Sequence, residues 1–358
     1  MKFVYAFIAV IYGMAVHIRN FLFDIKVLRS VTFNIPTICV GNLTVGGTGK
    51  TPHVEYLIKL LAEKYNVATL SRGYKRKTKG FILASSSSTA SQIGDEPHQI
   101  YSKHPKINVA VDEKRVRGIK SIIEEKPNTD VIILDDAFQH RYVKPGHSIL
   151  LVDYNNLVTR DYFLPLGRLR DSISQMHRAE IVIITKCPTN IKPIDQRIIS
   201  KELKLFPYQD IFFTSYNYGC LSPVFGDVNK PITNYENYKM LALAGIANPK
   251  PFFNHLESNF NLVDTIEFPD HFSFTEKKIK AIFEKFSHIE DVRKIIVTTE
   301  KDASRLNEYK ELLSEDIKRS FYYIPIEVEF LNGATKDFNT KILKYVRKSK
   351  RDHGFHPK

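Results

Sequence analysis

Cysteine is scarce in this chain: only Cys39, Cys187 and Cys220 occur in 358 residues, and no two of them lie at metal-ligand spacing. That excludes a thiolate zinc site and a disulfide framework, and an odd number of thiols suits a reducing compartment. The apolar run near the N-terminus, residues 3–16, is 14 residues long, short of the roughly 20 that a membrane-spanning helix needs. Internal repeats and long charged linkers are also missing. No RNA-recognition, zinc-finger or basic-zipper pattern accompanies the lysines and arginines, so specific nucleic-acid binding does not account for the net charge of +13. What remains is a chain with 43% hydrophobic residues, enough for one large or two modest domains. Its sequence pI of about 9.4 points to anionic partners, either phosphorylated molecules or an acidic membrane surface.

The densest information lies in Gly41-Asn-Leu-Thr-Val-Gly-Gly-Thr-Gly-Lys50-Thr51-Pro52. An apolar run, Thr37-Ile-Cys-Val40, precedes it and an amphipathic run from Val54 follows. A buried strand, a glycine-rich turn and a helix opening near a proline form the setting of a phosphate-binding loop. Its glycines let successive backbone N–H groups face one concavity, to which the helix N-terminus adds partial positive charge. The loop therefore predicts a nucleoside triphosphate site made by Thr44, Val45, Gly46, Gly47, Thr48, Gly49, Lys50 and Thr51. Lys50 reaches the β/γ-phosphates and the Thr51 hydroxyl meets Mg²⁺. Thr44 stands where the usual pattern has glycine, and Gly46, Gly47 and Gly49 supply the backbone freedom instead.

Further buried strands are expected at residues 67–70, 107–111, 131–134, 149–152, 181–184, 240–243 and 295–297, with helices between them. Such alternation predicts an α/β fold with a mostly parallel sheet of the phosphate-loop NTPase type. The strand at 131–134 ends in Asp135-Asp136, which makes Asp135 the candidate metal-side carboxylate and leaves Asp136 to face substrate or fix its neighbours. The basic loop Ser71-Arg72-Gly-Tyr74 either touches phosphate or is solvated. Gly94-Asp95-Glu96-Pro97 offers two adjacent acids, and His271 is a candidate to share a proton with one of them. The loops at Thr185-Lys186 and Thr299-Glu-Lys-Asp302 follow buried strands and are candidates for reading the base. The 3–16 run, extended by Phe21-Leu-Phe23 and flanked by Lys2, Arg19 and Lys26, favours a helix lying in a membrane interface; a helix packed on the core is the alternative.

Taken together these motifs resemble the tetraacyldisaccharide 4'-kinase (lipid A 4'-kinase) family. Besides the stretches already quoted, the resemblance runs through Asp135-Asp-Ala-Phe-Gln-His140, Leu164-Pro-Leu-Gly-Arg-Leu-Arg170, Ala244-Gly-Ile-Ala-Asn-Pro249, Phe268-Pro-Asp-His271 and Thr299-Glu-Lys-Asp302, in order over most of the chain. It implies transfer of the γ-phosphate of ATP, with Mg²⁺, to the 4'-hydroxyl of a lipid A disaccharide 1-phosphate at the cytoplasmic face of a Gram-negative inner membrane. It also implies that Asp95 acts as base with His271, that Glu96 and Asp135 are metal-side acids, and that Arg170 steadies the transferred charge. Arg72, Tyr74, Asp136 and His140 become substrate-side candidates. The family commonly has Leu-Arg-Glu-Pro where this chain has Leu169-Arg170-Asp171-Ser172, which makes Asp171 a shorter-armed candidate for Mg²⁺. The expected layout is an N-terminal membrane-interface helix in residues 1–30, a kinase core in 31–220 and a smaller α/β domain in 221–358. The enzyme is expected to be peripheral or monotopic, with the lipid substrate and the inner-membrane surface as partners, no specific nucleic acid and no obligate protein partner. The rival reading is a nucleotide switch or metal-insertion chaperone.

Overall fold

The computed structural model describes residues 2–226, 235, 237–270, 272 and 274–354. His271, expected to pair with Asp95, lies outside the described residues. Strands in chain order are β1 (Thr37–Gly41), β2 (Val67–Ser71), β3 (Ile82–Leu83), β4 (Asn108–Val111), β5 (Val131–Asp135), β6 (His147–Asp153), β7 (Ile181–Thr185), β8 (Asp210–Tyr218), β9 (Ser222–Pro223), β10 (Lys239–Ala244), β11 (Asn261–Glu267), β12 (Lys294–Thr299), β13 (Phe321–Ile324) and β14 (Ile326–Phe330). Among the described residues they form a nine-stranded sheet, ordered β14-β8-β7-β6-β1-β5-β2-β4-β3, and a five-stranded sheet, ordered β11-β10-β12-β13-β9.

The chain divides into two compact units. The larger comprises Met1–Ser88, Ile100–Tyr216 and Val328–Lys358. In its sheet β1 pairs in parallel with β5 on one side and β6 on the other, so the turn after β1 leaves the carboxyl edge between two neighbours. Every residue of β1, β2, β5 and β7 is buried, as near-continuous apolar strands require when both sheet faces are covered. Side chains of β1 alternate between two cores: Ile38 and Val40 enter one cluster, Cys39 the other. The helix Lys50–Ala62 buries Val54, Leu57, Ile58 and Leu61 in the first cluster at helical spacing, and Thr335–Gly354 adds Phe338, Ile342 and Val346. Ile119 and Ile122 of the helix Arg115–Glu125 cover the opposite face.

The second unit comprises Thr89–Gln99 and Asn217–Glu327. Its strands β10, β11, β12 and β13 are parallel, and β9 runs antiparallel to β13. Leu241 and Leu243 pack on one face, Met240, Ala242 and Ala244 on the other. These boundaries differ from those expected. Residues 328–354 belong to the larger unit because Phe330, Phe338, Ile342 and Val346 fill its core, and Thr89–Gln99, in which Asp95 opens a helix, belongs to the second. The β-rich stretch 321–330 is two strands, β13 in the smaller sheet and β14 in the wide one, split at Pro325, which has no N–H to continue a ladder.

Residues 1–30 are not a separate unit either. The N-terminal helix Lys2–Asp24 has 23 residues and is long and apolar enough, by length and composition, to cross a membrane, so the 14-residue run understated it. The helix continues past that run through His17, Arg19 and Asn20. Ala9, Gly13, Val16, Asn20 and Phe23 form a buried stripe along one face, while Phe3, Phe7, Ile11, Met14, Ile18 and Phe21 are exposed.

Candidate active site

The site in the larger unit starts at the turn after β1. Gly41 ends that strand where an added Cβ would fall 2.6 Å from the Phe138 Cβ, so only glycine lets the loop after β5 come this close. Gly46 and Gly49 hold positive φ, 102° and 86°, and Gly49 is the N-cap of the helix Lys50–Ala62. Behind the loop, His53 bonds the Gly49 carbonyl through Nδ1 at 2.8 Å and Thr214 Oγ1 through Nε2 at 3.1 Å. Because the carbonyl can only accept, Nδ1 carries the proton. Burial holds this ring neutral, at a pKa of about 4 despite the favourable bond to Gly49. Lys186, following β7 in a left-handed conformation, bonds Asp153 at 2.7 Å and also reaches the Gly47 carbonyl.

Three charged side chains meet beside this loop. Asp136, with φ 48°, lies 3.9 Å from the Lys50 ammonium and takes both terminal nitrogens of Arg170. Arg170 also bonds the Asn42 side chain. Burial works to raise the Asp136 pKa, but Lys50 and then Arg170 outweigh it and hold the carboxyl at about 2. Asp135 is buried at the end of β5, in register with Val40 of β1. Arg115 is buried nearby; burial lowers its pKa and the carboxylates of Asp135 and Asp136 oppose that. The Arg115 N–H donates to His140 Nε2 at 3.3 Å, and burial, with Arg115 and Arg72, lowers the His140 pKa to about 4. Tyr74 is exposed in the same basic loop as Arg72.

These residues fit a triphosphate and its metal. The Cβ positions of Gly46 and Gly47 face open space, Thr48 Oγ1 is buried with no hydrogen-bond partner, and Lys50 and Arg170 bring two cations to a helix N-terminus. Thr51 stands half-buried in the first turn of that helix and offers the hydroxyl that meets Mg²⁺ in such loops. Among the described residues no group of three or more His, Cys, Asp or Glu has metal-binding geometry. Mg²⁺ needs none, since it keeps waters and takes phosphate oxygens with one or two protein ligands.

Asp171, the shorter-armed candidate for Mg²⁺, is already held by protein partners. It is fully buried, accepts from Asn20 Nδ2 at 2.7 Å, and is ion-paired with Arg19 at 3.5 Å and Arg178 at 3.7 Å. This carboxylate is thus engaged by two guanidiniums and an amide. In the second unit, Asp95 is paired with Arg305, which donates from Nε at 3.0 Å and from a terminal nitrogen at 2.8 Å. Arg305 is held in turn by Asp302 and the Gly245 carbonyl, while Asp302 accepts from the Gly245 N–H and the Thr299 hydroxyl. Thr299 and Asp302, candidates for reading the base, thus brace the arginine on Asp95. Glu96 sits half-buried in the first turn of the same helix as Asp95. Sequence reasoning missed Arg305 and His53. The signal for Arg305 was available, since it lies three residues after Asp302 and therefore on the same helix face.

A glycine-rich loop after the central strand of a parallel sheet, with a lysine and an arginine drawn to one carboxylate, defines a phosphate-loop nucleotide-binding protein. The family described as tetraacyldisaccharide-1-P 4'-kinase matches residues 1–347. A tetraacyldisaccharide 4'-kinase of Bacteroides thetaiotaomicron is 49% identical over 355 residues, covering 96% of this chain and 93% of that protein. One of Porphyromonas gingivalis is 44% identical over 348 residues, covering 96% and 97%. Among solved structures, LpxK of Aquifex aeolicus in complex with ATP superposes with a TM-score of 0.75 at 25% identity, covering 95% of this chain and 97% of that one. The chain belongs to the tetraacyldisaccharide 4'-kinase family.

Proposed function

We propose that the glycine-rich loop, with Lys50 and Arg170, binds and polarises the triphosphate and that Asp95 receives the proton of the acceptor. As a member of its family the chain is an ATP-dependent kinase that phosphorylates the 4'-hydroxyl of a tetraacyldisaccharide 1-phosphate in lipid A biosynthesis. In the reaction the 4'-oxygen attacks the γ-phosphorus, the bond to the β–γ bridging oxygen breaks, ADP leaves and the hydroxyl proton passes to Asp95. Lys50 and the loop N–H groups hold the β- and γ-phosphates, and Arg170 neutralises charge on the transferring group. Mg²⁺, when bound, would neutralise phosphate charge; Thr51 would hold it, with Asp135 and Glu96 as supporting acids. Arg305 holds Asp95 in place to accept a proton, and His271 shares it. Arg72, Tyr74 and His140 face the anionic sugar.

The observation that carries this reading is the Lys50–Asp136–Arg170 cluster at the mouth of the loop: two cations are preorganised where phosphate charge develops. The enzyme works as a peripheral protein on the cytoplasmic face of the inner membrane, with the exposed apolar side of its N-terminal helix in the interface and no nucleic acid or obligate protein partner. The test is transfer of labelled γ-phosphate from ATP to a purified tetraacyldisaccharide 1-phosphate in detergent. Lys50→Ala should lose about 10²–10³ in rate; near-normal turnover of that variant, or no 4'-phosphorylated product from the parent enzyme, would overturn the assignment.

A further inference from the structure

Between the N-terminal helix and the phosphate loop runs a strap, residues 161–171, that hydrogen-bonds to both. On the loop side, the Val45 N–H donates to the Arg168 carbonyl at 2.8 Å and the Arg170 N–H to the Leu43 carbonyl at 2.9 Å, with Thr44 and Leu169 in an antiparallel bridge. On the helix side, the Tyr12 hydroxyl donates to the Arg170 carbonyl at 3.1 Å, and Gly13 packs so close to Phe163 that a Cβ would fall 2.9 Å from its ring. Asn20 and Arg19 then grip Asp171. The residue that places a guanidinium on Asp136 is thus fixed at its own carbonyl and at its next neighbour by one face of the helix.

We propose that Asp171 is a positioning residue: clamped by Asn20 and Arg19 of the N-terminal helix and by Arg178, it sets Arg170 and the first half of the phosphate loop, so that seating of this helix governs phosphate transfer. Three features carry the inference. The carboxylate is wholly buried, its amide partner Asn20 is the one polar residue on the helix's buried stripe, and the grip falls one residue from Arg170. A buried carboxylate without its partners is expensive, so the helix and the strap are seated together or not at all. A misplacement of about 1 Å at a phosphate-handling group costs up to about 10²-fold in rate, so a loosened strap acts on turnover more than on binding of the lipid.

This rests on the kinase reading, and the experiment separates the two. Activity is measured in detergent micelles, where membrane affinity does not enter, for the parent, Asn20→Ala, Asp171→Asn, Tyr12→Phe and the exchanged pair Asn20→Asp/Asp171→Asn. A parent without turnover would refute the kinase reading itself. With an active parent, Asn20→Ala and Asp171→Asn should each lower kcat about tenfold or more with the lipid KM within about twofold. Tyr12→Phe, which changes little volume, should lower kcat by a smaller factor with an unchanged melting temperature. The exchanged pair restores an amide facing a carboxylate, with donor and acceptor on opposite elements, and should recover much of the lost kcat. The proposal is overturned if Asn20→Ala and Tyr12→Phe leave kcat unchanged, or if the losses in the exchanged pair simply multiply. It is overturned equally if Asp171→Asn alone raises the Mg²⁺ concentration needed for half-maximal rate while Asn20→Ala does nothing, the pattern of a metal ligand.

Discussion

Among single residues, Asp136 is the one on which the site turns. It adopts a left-handed conformation that only Asn, Asp and Gly accept readily, and it draws Lys50 and Arg170 to one point. Asp136→Asn keeps the backbone conformation and the shape but removes the charge, so Lys50 and Arg170 lose the anchor that aims them. The expected result is a kcat lower by about 10–10²-fold with a melting temperature close to that of the parent, since the pair energies are moderated by solvent at this partly open position. An equally active variant would show that the triphosphate alone organises the two cations. The sequence allowed the Lys50 and Asp135 placements, because a strand-loop-helix context dictates them locally. The convergence of Asp136 and Arg170 depends on which strands lie side by side, and pairing of β1 with β5 and β6 is set by long-range packing that no local pattern carries. The setting of Asp171 is illegible locally for the same reason, its partner Asn20 being remote in the chain and close only after folding.

The elements were legible in proportion to their periodicity. Fully buried runs such as those of β5 and β7 announce themselves, and the helix Lys50–Ala62 follows from the glycine-rich turn. The N-terminal helix was harder, since its polar Tyr12, His17 and Asn20 interrupt the apolar run that they in fact seat on the domain. Its two sides now carry separable tasks. Phe23 packs under Arg141, whose guanidinium stacks on its ring and pairs with Asp24, while the opposite side presents Phe7, Ile11 and Ile18 to the surroundings. Each large apolar side chain entering an interface contributes about 1.5–3 kcal/mol. Replacing Phe7, Ile11 and Ile18 together by Glu should therefore move the protein from vesicles of anionic lipid into the supernatant in a flotation assay, with turnover on micellar substrate kept. Unchanged vesicle binding would mean that another surface holds the membrane, and the interfacial role of the helix would fall.

At the scale of the whole molecule, acid is expected to act through three histidines of the larger unit, His53 buried and His140 and His147 half-buried. Burial lowers His53 and His147 to about 4, and burial with Arg115 and Arg72 does the same to His140, against an ordinary value of 6.5. Between these limits the unfolded chain binds protons that the folded chain refuses, so stability is fully present above pH 6.5, falls as pH drops toward 4 and levels off below. Asp136 acts in another window: with its carboxyl at about 2 instead of 3.8, its contribution is intact above 3.8 and lost only on further acidification. His53 is the most deeply buried of the three and so the least screened, and its share reaches about 3 kcal/mol across the window, at most about 1.4 kcal/mol per pH unit. His53→Asn offers an amide to the Gly49 carbonyl without a titrating ring. It should cost some stability at neutral pH by leaving Thr214 and the surrounding cavity underfilled, yet flatten the slope of unfolding free energy against pH. Urea denaturation followed from about pH 7 down to about pH 4.5 reads that slope directly. A variant whose slope equals that of the parent would place the proton uptake on other groups, and the neutral His53 behind the phosphate loop would no longer explain acid sensitivity.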